Sequence, residues 1–302
     1  MPTLRIRSLI VIAAAVLMFF SPAIATSPDL GKTPQVLLLD RIDLPAGKVA
    51  EFASIQSEIA KAYRDASVPV YWVALQSITG PPHILYFDGY DTFAQLEAAA
   101  AAISKVEQSH PDLARRQSDL MQLMQSSQAV INLRREDLSH RLDRFDIARF
   151  PYVRLTVIQL RSGYEQDFAD ALHTMRKTFE TEGVDSPWAI FQVHSGMPAP
   201  AFIAVQLLTS LKEFDDTLEA RKREHVNPFD FGRSKPPLLP KDAIASLQSD
   251  LYSVNLKISH IPNDGAARVS VPLIPNDSLY RSMLAVNPIL GTTNESYGQG
   301  RN

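Results

Sequence analysis

VLLLDRIDLPAGKVAEFASIQSEIAKAYRDASVPVYWVALQSITGPP, residues 36–82, returns 116 residues later as YVRLTVIQLRSGYEQDFADALHTMRKTFETEGVDSPWAIFQVHSGMP, residues 152–198. Aligned without a gap, the two stretches agree at 12 of 47 positions, among them Leu39 with Leu155, Phe52 with Phe168, Gln76 with Gln192 and Gly80 with Gly196. Trp72 and Trp188, the only two tryptophans, fall on each other in the same alignment. A self-similarity this long decides the architecture before any local signal does.

Each copy opens on a β-rich run, Val36–Leu44 and Tyr152–Leu160. A helix follows, with apolar residues every three or four positions: Val49, Phe52, Ile55, Ile59 and Tyr63 in the first copy, Phe168, Leu172, Met175 and Phe179 in the second. Next come a strand at each tryptophan (70–78 and 188–194), a glycine-proline turn, and a third strand (84–88 and 202–207). Asp91 and Thr209 are placed to cap the helices after that. Residues 111–125 read as an additional helix, and Ala129–Arg134 as the closing strand of the first copy. In the second copy a proline-rich excursion, 227–240, and a short helix, 242–249, precede the strand Tyr252–Ile258. The closing strands also match, Asn132-Leu133-Arg134 against Asn255-Leu256-Lys257. The order is β-α-β-β-α-β twice, the ferredoxin-like unit. The predicted units span 35–135 and 151–260, joined by a charged connection, 136–150, that reads as solvated, and followed by a proline-containing tail, 261–302.

Sheets covered by helices on one side must find a partner for the other side. Strand alternation sorts the side chains. Val73, Leu75, Ala189, Phe191 and Val193 form an apolar set that suits the helix-covered face. The other parity carries Trp72, Gln76, Tyr86 and Asp88 in the first unit and Arg154, Trp188, Gln192 and His194 in the second. These mixed faces are expected to pack sheet to sheet and enclose a partly polar chamber of the kind that holds small molecules; the alternative is that the two indoles merely fill the space. Asp40 shares the parity of Asp88, with Arg154 and Lys257 as counter-charges from the other unit. This α+β arrangement resembles the dimeric α+β-barrel superfamily, which includes antibiotic-biosynthesis-type monooxygenases, NIPSNAP-like proteins and chlorite-dismutase-like haem proteins. The resemblance rests on repeat length, element order and face pattern. It implies an intrachain barrel made of two fused ferredoxin-like units, with a cavity inside the barrel or between sheet and helices. It implies little about chemistry, because one fold carries many functions.

Residues 1–25 have the layout of an export signal: Arg5 and Arg7, an apolar run from Leu9 to Phe20, then Ser21-Pro22 and Ala23-Ile24-Ala25. Cleavage after Ala25 would leave 277 residues (302 − 25) and move the formal charge from −3 to −5 with the loss of the two arginines. That run is short for a membrane span, and the acidic balance argues against a nucleic-acid partner. With no cysteine, disulfides, thiolate metal sites and cysteine nucleophiles are excluded together. No GxSxG elbow, HExxH pair or phosphate loop is present, and the seven histidines show no metal-binding spacing. His194 is the candidate for a pocket base or an axial haem ligand, against a purely structural reading. His83, beside a turn, reads as surface. Three functions stay open: binding of a small, partly apolar molecule with no cofactor, a cofactor-independent or haem-dependent monooxygenase-like enzyme, and a structural or interaction protein using its C-terminal tail. Ligand identity and oligomeric state are not readable.

Overall fold

A computed structural model describes residues 33–184, 186–215, 239–240 and 242–261. Residues 1–25, read above as an export signal, most of the proline-rich excursion and nearly all of the tail lie outside the described residues. The first unit contains β1 (Val36–Asp43), α1 (Val49–Asp65), β2 (Val73–Ser77), β3 (His83–Tyr90), α2 (Phe93–Ser109), α3 (Pro111–Leu123) and β4 (Ser126–Arg134). The second contains β5 (Tyr152–Leu160), α4 (Glu165–Glu182), β6 (Trp188–Ser195), β7 (Ala201–Leu208) and β8 (Ile244–Val254). Thr92, rather than Asp91, caps α2: its hydroxyl accepts the Gln95 N–H, and Gln95 Oε1 takes the Asp91 N–H in return. The stretch expected as a helix at 242–249 is mostly the first half of β8. Pairing along the whole of β5, from Tyr152 to Leu160, outweighs its weak helical pattern.

All eight strands are antiparallel to their neighbours and close into one barrel, in the order β1-β3-β2-β8-β5-β7-β6-β4. Each unit therefore contributes four consecutive staves, and the units meet at two seams, β2 with β8 and β4 with β6. Closure removes both free sheet edges that an isolated unit would expose. This is the expected fold: two tandem ferredoxin-like halves forming an α+β barrel within one chain.

The alternation is inverted relative to the expectation. Val73, Leu75, Ala189, Phe191 and Val193 point into the barrel, together with Leu37, Phe87, Leu155, Ile203 and Tyr252. Trp72 instead packs with Phe52, Ile59 and Tyr63 under the first-unit helices. Trp188 packs with Phe168, Met175 and Phe179 under α4. The inside of a closed barrel offers few partners to polar groups, so it takes the mostly apolar set, and the polar side chains that share its parity, Asn132, His83 and Tyr252, are hydrogen-bonded. The helix-covered face is bounded by seams and rims where polar tips find partners, and it takes the mixed set.

The connection between the units is not merely solvated. Three short 3-10 turns, Glu136–Leu138, Leu142–Arg144 and Ile147–Arg149, carry it across the barrel. From them Phe145, Ile147 and Ala148 join the interior cluster, with Phe145 6.5 Å from the Phe87 ring. His83, expected at the surface, is 1% exposed, with Nδ1 and Nε2 each 2.8 Å from an oxygen, Pro81 O and Tyr252 Oη respectively.

Candidate functional site

The residues expected to line one chamber divide among three places. Trp72, Gln76, Trp188 and Gln192 belong to the seams. At the first seam, Trp72 and His260 exchange both backbone hydrogen bonds (2.8 and 3.0 Å), and the indole Nε1–H donates to Ile258 O at 2.9 Å. Ser259 Oγ accepts the Ala74 N–H at 2.9 Å and donates to Asn255 O at 2.8 Å, while Asn255 Nδ2 donates to Gln76 Oε1 at 3.2 Å. The second seam repeats this group by group. Trp188 exchanges backbone bonds with His140 (3.0 and 3.1 Å) and donates Nε1–H to Leu138 O at 3.2 Å. Ser139 Oγ accepts the Ile190 N–H at 2.9 Å and donates to Arg135 O, and Arg135 donates to Gln192 Oε1 at 3.2 Å. His260 lies 5.0 Å from the Trp72 ring, and His140 stacks at 4.6 Å on Trp188.

Each unit thus ends in a Leu/Ile-Ser-His segment that clasps the tryptophan strand of the other unit. The recurring tryptophans and glutamines are explained by this reciprocal joint. Its sequence signal was present as Leu138-Ser139-His140 and Ile258-Ser259-His260, spaced 120 apart (260 − 140), an offset slightly longer than that of the tryptophans.

His194 stands at the barrel rim, exposed, with its ring 5.4 Å from the equally exposed Phe93. Being exposed, it does not line an enclosed interior as the candidate role of pocket base or axial haem ligand had it. Arg154, on the helix-facing side of β5, donates to Ser249 Oγ at 3.1 Å, and Lys257 is exposed. Neither serves as a counter-charge to Asp40 or Asp88.

The third place is the helix-facing side of β1 and β3, where Asp40, Tyr86 and Asp88 come together. Asp40 and Tyr86 are paired directly across the two strands, and Asp88 follows two residues along β3, opposite Leu38. That register places the two carboxyls on one face as diagonal neighbours, about 7–8 Å apart at the backbone. Tyr90 is next on the same face, and Leu38, Ile131 and Leu133 flank the group. Above it lie α1, α2 and α3; α2 turns small residues, Ala99 and Ala102, toward the sheet.

The electrostatics of this group are unusual. Burial, reinforced by the Asp40 charge, pushes the Asp88 carboxyl well above the ordinary carboxylate range, and burial raises Asp40 as well. Burial, with both carboxyls nearby, also pushes up the Tyr86 phenol. Asp88 Oδ1 and Tyr86 Oη are shut away from solvent and have no hydrogen-bond partner. Leaving such a group unsatisfied costs about 1–3 kcal/mol, so two side by side require an explanation. Asp40 and Asp88 are both half-buried, although the Asp88 Oδ1 atom is itself shut away. At the matching registers of the second unit stand Thr156 for Asp40, Ala204 for Tyr86 and Gln206 for Asp88. The acidic group belongs to one unit only.

An open cleft of about 750 Å³ lies elsewhere, over the second seam, lined by His140, Arg141, Arg176, Phe179, Glu180 and Val184 among others. Charges there are already matched: Arg135 with Asp137 at 2.7 Å and Arg176 with Glu180 at 2.9 Å. It is a depression over the joint; Tyr86 Oη and Asp88 Oδ1 lie elsewhere and are two of six buried side-chain atoms without a partner among the described residues, the others being Asn132 Oδ1, Arg134 Nε, Gln206 Oε1 and His260 Nδ1. Among the described residues no group of three or more histidine, aspartate or glutamate side chains could hold a metal ion.

These observations define the class: a single-chain α+β barrel of two fused ferredoxin-like units, with a polar group beneath the helices of the first. No family model matches the sequence. No curated protein matches it either. Solved structures share its chain path. An anthrone oxidase-like protein is 13% identical, covering 78% of this chain and 98% of its own, with a TM-score of 0.48. Chlorite dismutase from Candidatus Nitrospira defluvii is 9% identical, covering 84% and 97%, with a TM-score of 0.46. A heme-binding protein from Thermus thermophilus is 9% identical, covering 72% and 90%, with a TM-score of 0.42. At such identities no residue role passes from these proteins to this chain.

Proposed function

We propose that the protein binds a small, partly apolar molecule between the first-unit sheet and helices α1–α3, with Tyr86, Asp88 and Asp40 as its polar contacts. The observation that carries this is the pair of buried, partnerless oxygens, Tyr86 Oη and Asp88 Oδ1, among apolar side chains. Sites for small molecules combine an apolar lining with a few converging polar groups, and strongly perturbed acids mark them. Export with cleavage after Ala25 belongs to the same reading, and a mature N-terminus other than Thr26 would contradict that part.

A thermal-shift screen of small molecules on the wild type, Tyr86→Phe and Asp88→Asn tests the site. Ligands that raise the wild-type melting temperature and lose that effect in both variants support it. Ligands acting equally on all three proteins overturn it. The raised carboxyls favour a second reading, an acid–base role in turnover, since a carboxyl held near neutrality can exchange a proton with a bound substrate.

A further inference from the structure

We propose that the site beneath the first-unit helices takes an organic cation, a protonated or quaternary amine carrying an apolar group, held between Asp40 and Asp88 against the rings of Tyr86 and Tyr90. This rests on the site reading above and names its ligand class. Several carboxylates elsewhere are paired with arginine: Asp43 with Arg41, Asp137 with Arg135 and Glu58 with Arg116. Asp40 and Asp88 share one sheet face, and no described lysine, arginine or histidine pairs with either of them. Two carboxyls set diagonally on one sheet face, with no basic side chain between them, leave the site short of positive charge.

The second observation comes from Tyr86. Its side chain is 9% exposed, its hydroxyl is buried without a partner, and it feels the charge of both carboxyls, so it is aimed into the same space. Tyr90, 4% exposed, adds a second phenol whose proton is held more tightly by burial and by Asp88. Aromatic rings beside carboxylates are what an ammonium group recognises, through the ring face and the charge together. A bound cation would also favour ionisation of a carboxyl that burial otherwise keeps protonated.

The duplicated unit supplies an internal control. At the same registers Thr156, Ala204 and Gln206 complete an equivalent sheet with no acid among them. The barrel therefore does not need acids at these positions to fold. The second unit also leaves a buried oxygen without a partner at this register, Gln206 Oε1, but a neutral one, so the carboxyls are what is particular to the first unit. Leu38 and Ile131, flanking the acids, provide contact for the apolar part of the ligand.

The test is binding of one carbon skeleton in three charge states: 2-phenylethylamine with its N-methylated series, 2-phenylethanol, and phenylacetate. Calorimetry and thermal shift are run on the full chain, with Asp40→Asn, Asp88→Asn and the double variant Asp40→Thr/Asp88→Gln, which installs the side chains the second unit already carries. The expected result is that amines bind, phenylacetate does not, and each Asn variant weakens amine binding at least tenfold while still folding. The double variant keeps the test valid if a single Asn variant misfolds. Equal binding of the alcohol and the amines, abolished by Tyr86→Phe, overturns the cation and leaves the site standing. Amine binding that survives the double variant, or no probe binding in a Tyr86-dependent way, overturns the proposal, and the latter result removes the site as well. Stabilisation by calcium or magnesium chloride alone, lost in Asp40→Asn, overturns the organic ligand in favour of a metal.

Discussion

Asp88, half-buried with its Oδ1 shut away, and His260, buried, are titratable groups whose shifts act in opposite directions on stability. Asp88 has a folded-state pKa above its unfolded value near 3.8, so the native state holds the proton longer. Its contribution is fully present below about 3.8 and is lost as pH rises toward the folded value. His260 is pushed down to about 4, mainly by burial. The unfolded chain takes up that proton first, so stability is lost as pH falls from about 6.5 toward 4. In the wild type the two slopes oppose each other between pH 4 and 6.5. Asp88→Asn removes one of them, so the variant should gain stability relative to wild type as pH rises through that window. Urea unfolding at pH 4, 5, 6 and 7 measures the difference, and a difference independent of pH would show that Asp88 titrates normally. The residue types at this site were readable in the sequence, and Asp40, Tyr86 and Asp88 were placed correctly on one face. Which face it was could not be read, because alternation defines two sides and does not label them.

The two seams are where secondary-structure elements from different units become interdependent. Ser139 and Ser259 each satisfy a buried backbone N–H on the opposing strand, that of Ile190 and that of Ala74. Ser139→Ala and Ser259→Ala should each cost about 1–3 kcal/mol by leaving that donor without an acceptor. Ser57→Ala, on the exposed side of α1 with its hydroxyl bonded only to Ser54 O, should change stability by less than about 0.5 kcal/mol. Denaturant midpoints of the three variants decide the matter, and equal effects would show that the seam serines are not structural. The same joint accounts for Gly196, counterpart of Gly80. Its φ is +97°, and a Cβ there would meet Ala129 O at 2.3 Å, so the β6–β7 turn can sit against β4 only with glycine. The recurrence of Trp, Gln and Gly was visible as a pattern. That it marked a joint between units was not visible, because the partner segments lie 50 to 186 residues away in the chain.

Across the entire barrel, neither unit has a complete core of its own. The interior cluster draws on β1, β2 and β3 as well as on β5, β6 and β7, and Phe145 and Ile147 from the connection join it. The barrel should therefore unfold in one step. Trp72→Phe and Trp188→Phe each leave one indole, reporting on one unit. Within either variant, the fluorescence transition of the remaining indole should coincide with the circular-dichroism transition. Separated transitions would mean that the units unfold independently and that the seams are weak.

The sequence by itself determined the duplication, the order of strands and helices in each unit, and the sorting of side chains into an apolar and a mixed set. These are properties of local periodicity and of repetition at one fixed distance, both carried by the linear chain. Only the tertiary structure decided that the apolar set faces inward, that the tryptophans lock the seams, and that His194 stands at the rim. It also showed that the unpaired acids lie beneath the helices of one unit. Those outcomes depend on closure: once the fourth strand of each unit pairs with the second strand of the other, the interior is cut off from water. What an isolated sheet could have offered to solvent must then be placed on the outside of the barrel.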